Sequence, residues 1–167
     1  MPDIIFDNCV LSNFALSDAY PIIETMYANT AYVTNFVAAE NMAGIARGHD
    51  KLVVIRQAIM SGRLKELNLK NSTEKQLFET LAVSLGLGEA SSLAIAKTRS
   101  YVFACDDRAA RKEAGLLGVK LTGTIGILAK AVHCSISTER KADDILKSMV
   151  HNGFYSPVVS IREMKLR

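Results

Sequence analysis

YVFACDDRAARKEAGLLGVKLTGTIGIL, residues 101–128, decides the fold class. The apolar run from Tyr101 to Cys105 has strand character and ends in two adjacent acids, Asp106 and Asp107. A helix-forming stretch follows, with Ala110, Ala114 and Leu117 on one side and Arg108, Arg111 and Lys112 around it. A second short apolar run at 119–122 completes a strand–helix–strand unit, the kind of connection parallel strands need. One acid at this place is a common helix cap, accepting the free N–H groups of the first turn. Two exceed what one cap requires.

The same arrangement opens the chain. In IIFDNCVLSNF, residues 4–14, the strand formers Ile4, Ile5 and Phe6 run into Asp7, and a second apolar run of helical character follows. Strand candidates lie at 3–7, 30–34, 64–68, 101–105 and 119–122, with helices in most of the intervals. The segment 50–61 sets Leu52, Ile55 and Ile59 on one face. The segment 73–86 opens with the capping-box pattern Thr73-x-x-Gln76 and carries Leu77, Leu81 and Leu85. Ala142, Ile145, Leu146 and Met149 repeat the stripe, and Ser156-Pro157 offers a cap and first residue for a last short helix. These elements predict a three-layer α/β/α fold around a central, largely parallel sheet of about five strands. Such sheets bind ligands at the carboxyl ends of their strands, where Asp7 and the Asp106-Asp107 pair both fall. With no repeat, low-complexity segment or long linker, residues 1–167 are expected to form a single domain, a core over 3–133 and a helical extension over 134–167.

Composition narrows the function. The 167 residues are 49% hydrophobic and 22% charged, which suits a globular chain with a sizeable core. No leader pattern or run of about 18 apolar residues is present, so a cytoplasmic protein away from membranes is expected. Cys9, Cys105 and Cys134 form no CxxC pair; buried free thiols are expected rather than disulfides or a zinc site. Residues 1–46 hold five acids and no Lys or Arg, so the remainder is basic enough to bring the net charge to +3. An acidic site inside a basic rim suits nucleic acid, whose phosphates are neutralised by Lys and Arg; solvated helix faces are the competing reading.

Between the two acid-bearing stretches lies LGLGEASSLAIAKT, residues 85–98. Gly86 and Gly88 interrupt the preceding helix, and Glu89 opens a new one in which Ala90, Leu93 and Ala94 face inward. Glu89 at that place is also a partner for the helix dipole. Glu40, in NFVAAENMAGIA, is a helical acid among small residues, for which solvent exposure is the simple reading.

The order Asp7, Glu40, Glu89, Asp106-Asp107 resembles a PIN domain, the fold of VapC-like toxins and related nucleases. The likeness is closest to small PIN proteins with a GEA…A helix followed by DDRAAR…G…TGT.G.L, and it covers roughly residues 3–133. It implies a Mg²⁺- or Mn²⁺-dependent endoribonuclease with RNA as substrate. A toxin's antitoxin protein and a homodimer are the partners it implies. By the same likeness Asp7, Glu40, Glu89 and either Asp106 or Asp107 are the catalytic acids, with Asp7, Glu89, Asp106 and Asp107 as metal ligands. Two positions depart from the pattern: Asn8 stands where a Thr or Ser usually follows the first acid, and Thr34 stands where a proline usually precedes the second.

Carboxylates without Cys or His among them suit hard, oxygen-preferring Mg²⁺ or Mn²⁺ rather than zinc. Ser12 and Asn13 are candidates for placing substrate, with helix packing as the alternative. Arg108 and Arg111 are candidates for phosphate contacts, with ordinary surface charge as the alternative. An aspartyl phosphatase would need a second acid where Cys9 stands, and a nucleotide fold would need a glycine-rich loop after the first strand. A Cys9 nucleophile would need a base, but His49, His133 and His151 fall in other predicted elements, so Cys9 reads as a small buried residue. Two functions stay open: the metal-dependent ribonuclease, and a binding or protein-interaction module of the same fold that cleaves weakly because of Asn8.

Overall fold

The computed structural model describes residues 1–166. Strands β1 (Ile4–Phe6), β2 (Ala31–Thr34), β3 (Lys65–Leu67), β4 (Val102–Ala104) and β5 (Leu121–Thr122) form one all-parallel sheet in the order β3-β2-β1-β4-β5. Helices cover both faces: α1 (Asn8–Leu16), α2 (Tyr20–Met26), α3 (Asn35–Ala46), α4 (Val53–Met60), α5 (Ser72–Leu81), α6 (Leu87–Arg99), α7 (Arg108–Leu116), α8 (Thr124–His133) and α9 (Glu139–His151). None of the described helices is long and apolar enough to cross a membrane.

The three layers follow from the two-residue period of β1. Ile4 and Phe6 enter a core built with Leu11 and Phe14 of α1, Ile55 of α4, Ile127 of α8 and Leu146 of α9. Ile5 points the other way, into a core built with Leu93 and Ala94 of α6, Phe103 of β4 and Ala110 of α7. The chain runs outward from β1 through β2 to β3, then crosses back to place β4 on the other side of β1. That reversal opens a crevice at the carboxyl edge between β1 and β4. The register Phe6↔Ala104 sets Asp7 beside Cys105, and the Asp7 N–H donates to the Ala104 carbonyl at 2.9 Å.

Local starts and stops differ from the sequence reading at several places. The expected helix over 50–61 is a 3-10 turn, Asp50–Leu52, followed by α4. The cap of α5 is Asn71, not Thr73: its Oδ1 accepts from Glu74 N at 2.9 Å, while Glu74 Oε2 accepts from Lys70 N at 2.6 Å. Asn71-x-x-Glu74 thus caps the helix two residues earlier, with Glu74 reaching back to the N–H before the cap and also pairing with Arg99. Ser156-Pro157 starts no helix; Ser156 Oγ accepts from Val158 N in a tight turn. The closing 3-10 helix, Ile161–Leu166, begins where Asp143 of α9 accepts from Ile161 N at 2.7 Å. Nor are all thiols buried, since Cys134 is exposed and Cys9 half-buried.

Glu74 and Arg99 tie α5 to the end of α6. Arg99 Nε and Nη2 donate to Glu74 Oε1 and Oε2 at 2.7 and 3.0 Å, and the Glu74 side chain is only 2% exposed. The guanidinium holds the Glu74 carboxyl down to about 2 from its ordinary 4.5, against the opposing effect of burial. Removing one partner of such a pair strands the other charge, so Arg99→Ala should cost about 3–5 kcal/mol in urea unfolding. A depressed folded pKa means stabilisation that is present above pH 4.5 and is lost as pH falls through about 2. The variant's unfolding should lack that acid-limb dependence.

Candidate active site

Asp7 leaves the end of β1 and caps α1, its carboxylate accepting from Cys9 N at 3.4 Å. It is 4% exposed. Cys9 Sγ donates to Asp7 Oδ2 at 2.8 Å, and Cys105 Sγ lies 3.9 Å from the same oxygen. Burial raises the Asp7 pKa, the thiol and backbone donors oppose that rise, and the charge of Asp106 adds to it.

Glu40 and Glu89 approach Asp7 from α3 and α6. Burial, then the charge of Asp7, raises the pKa of each. Glu89 sits in the first turn of α6 and accepts from Gly86 N at 3.1 Å. Glu40 meets the same helix end through the Gly88 N–H. A Cβ at residue 88 would lie 2.6 Å from Glu40 Oε1, so glycine there is what admits the carboxylate. Thr34 aligns the two helices: its Oγ1 caps α3 through Val37 N at 3.2 Å and lies 2.9 Å from Ser91 Oγ of α6. Glu40 is solvent-facing, as a lone helical acid should be, yet within the field of Asp7 and Glu89.

The adjacent aspartates divide. Asp107 caps α7, accepting from Ala110 N at 2.8 Å, and its charge acts on Glu89. Asp106 acts on Asp7 through its charge and is held by three donors from two residues. Thr124 N and Thr124 Oγ1 donate to its two oxygens at 2.9 and 2.6 Å, and Asn13 Nδ2 donates at 3.2 Å. Asn13 therefore positions an acid. Arg111 Nη1 donates to the carbonyls of Cys105 and Thr122 at 2.8 and 3.0 Å, bracing the ends of β4 and β5. Arg108 is exposed at the start of α7.

Two neighbours of Asp7 were not singled out as site residues in the sequence. Cys9 follows the acid by two residues, where a cap's partner N–H must lie, and Cys105 extends β4 by one residue past the pairing Phe6↔Ala104. Both follow from cap geometry and register once the strand order is known. Ligand atoms of Asp7, Cys9 and Cys105 lie within 4.8 Å of one another. The hydrogen bond to Cys105, burial and the Asp7 charge all push the Cys9 pKa up, so it serves as a protonated donor to the carboxylate. Asn8 does not replace a supporting hydroxyl: its buried Oδ1 has no hydrogen-bond partner. Asn8 and Ser12 instead line a cleft of about 440 Å³ with Glu40, Arg47 and His49. On the Asp106 side, Arg111 lines a second cleft of about 380 Å³.

Carboxylates from four separate elements thus lie within one another's field at the crevice of an all-parallel α/β/α sheet, the arrangement of a PIN-type fold. The family model for the PIN domain DUF3368 matches residues 3–165, and the chain belongs to that family. The match runs through α9 into the closing 3-10 helix, beyond the 3–133 of the motif likeness. A search of curated proteins gave no match to this chain. PIN domains are generally nucleases and typically use divalent metals. Asp7, Glu40, Glu89 and Asp106 offer the oxygen donors such an ion prefers, and none has a Lys or Arg ion-pair partner among the described residues; the ligand atoms that lie within 4.8 Å of one another are those of Asp7 with the Cys9 and Cys105 thiols.

Repulsion within the cluster makes a direct prediction. Asp7→Asn keeps an acceptor for capping α1 but removes a buried charge. In chelator the variant should melt higher than wild type by about 2–6 °C, corresponding to roughly 1–2 kcal/mol. Added Mg²⁺ should raise the melting temperature of wild type and leave the variant nearly unmoved.

Proposed function

We propose that this protein is an endoribonuclease that hydrolyses RNA phosphodiester bonds with Mg²⁺ or Mn²⁺ held by Asp7, Glu40, Glu89 and Asp106. The observation that carries the reading is the grouping of these acids at the switch point of the sheet, none of them in an ion pair with Lys or Arg among the described residues. The preference for RNA over DNA rests on the likeness to RNA-cleaving PIN proteins. Asp107 serves as the cap of α7 and acts on Glu89 through its charge.

When bound, the cation polarises a phosphoryl oxygen and lowers the pKa of water. The chain's own residues hold the geometry. Asn13 and Thr124 fix the Asp106 carboxylate in one orientation, Gly88 admits Glu40 to the start of α6, and Cys9 supports Asp7. Arg47 and Arg111 in the flanking clefts offer positive charge to the polyanion on either side of the acids.

Purified wild type should cleave single-stranded RNA with Mg²⁺ or Mn²⁺ and not in EDTA, and Asp7→Asn should lose about 100-fold or more of that activity. Folded wild type that cleaves no RNA with either cation would falsify the reading. Asn13→Ala leaves Asp106 one donor short and should lower activity and apparent cation affinity together by about 10–100-fold. A cation titration of the cleavage rate separates this from a loss of fold.

A further inference from the structure

The motif that carries the family likeness is only partly used by the acid cluster. Asp106 belongs to it, but Arg111, Thr122, Gly123 and Gly126 do not, and all five line the 380 Å³ cleft. The opposite wall is Phe154 and Tyr155, from the segment after α9. The volume falls in the range of small-molecule sites, roughly 300–1,000 Å³.

The floor depends on absent side chains. A Cβ at Gly123 would lie 2.5 Å from Asp106 Oδ1 and 3.2 Å from Arg111 Nη1, and one at Gly126 would lie 2.8 Å from Thr122 Oγ1. The walls leave groups unspent. Arg111 uses Nη1 alone on the carbonyls of Cys105 and Thr122; its Nε–H and Nη2–H donors have no partner among the described residues. Tyr155 is 92% exposed, while Phe154 is half-buried and anchored on the core. Phe154 and Tyr155, which also line a neighbouring apolar cleft, and the unspent guanidinium donors of Arg111 share the lining of this cleft, offering a flat apolar surface and a polar edge, the two things a nucleobase needs. Because Asp106 lines the cleft and also faces Asp7, whatever enters lies next to the reacting centre.

We infer that this cleft is a nucleoside subsite of the ribonuclease. It takes the base and ribose of the nucleotide adjoining the cleaved phosphate, with Phe154 and Tyr155 against the base and Arg111 donating to its polar edge. The inference rests on the ribonuclease reading above and adds where selectivity for the flanking nucleotide arises.

The first test needs no cleavage: binding of adenosine, guanosine, cytidine and uridine to metal-free protein, by ligand-observed NMR in chelator. Wild type should bind at least one of them, Tyr155→Ala should weaken that binding by about tenfold, and Tyr155→Phe should preserve it. Inorganic phosphate alone should not displace the nucleoside. In cleavage of an RNA pool, Tyr155→Ala should raise KM and broaden the preference for the flanking nucleotide, with kcat little changed. No nucleoside binding, or binding indifferent to Tyr155→Ala, overturns the subsite even if RNA is cleaved. Tyr155-dependent binding in a protein that cleaves nothing keeps the cleft as a nucleoside site and overturns the ribonuclease. A Tyr155→Ala change that turns a dimer into a monomer, with nucleoside binding intact, overturns the subsite and makes this face an interface between copies.

Discussion

In an all-parallel sheet every strand ends at the same edge, so a helix that follows its strand directly begins there, and the rest of this structure depends on that constraint. The N-termini of α1, α3, α7 and α8 collect at the carboxyl edge, and α6 also starts there. Each brings unpaired N–H groups and a partial positive charge. Acids answer all of them but α3, which Thr34 caps. Asp7 caps α1, Asp107 caps α7, Asp106 takes the first N–H of α8, and Glu89 with Glu40 meets the start of α6. A helix cap contributes about 1 kcal/mol, so the fold gains from the same carboxylates that repel one another.

Burial pulls the other way. Asp7 lies deepest, with other carboxylates facing it, and its own pKa is raised. Two thiols stand against it where an ion pair would normally be found, and a thiol is a weak donor. The carboxylate is therefore oriented without being neutralised. A Lys or Arg at position 9 or 105 would satisfy Asp7 better and remove the negative field that makes the crevice attractive to a cation.

Much of this was legible in the sequence because strands ending in acids leave a strong trace. IIFD and VFACDD announce both the sheet and its acidic edge, and GEASS marks a helix start with an acid in its first turn. The roles of Asp106 and Asp107 were not separable, since either suits a cap; only the chain's return to Thr124 shows which one is gripped from outside. Arg111 and Asn13 read as candidates for phosphate contact and substrate placement, with surface charge and helix packing as alternatives, because their actual partners are backbone carbonyls and an acid far along the chain. The cap of α5 was placed two residues late, and the helix expected over 73–86 ends at Leu81, because Thr73-x-x-Gln76 and Asn71-x-x-Glu74 are similar local signals and Glu74 also has a distant arginine partner. Local chemistry was readable, whereas choices settled by long-range partners were not.

The position of β1 in the middle of the sheet also sets a timetable for biosynthesis. Residues 4–6 can pair with β2 soon after they are made, but their other edge waits for residues 102–104. At about 5–20 residues per second, ribosomes need roughly 5–20 s to span that interval. Until then Asp7 has no Asp106 to face, and the growing chain carries the first acid of its site without the enclosure that would let it act.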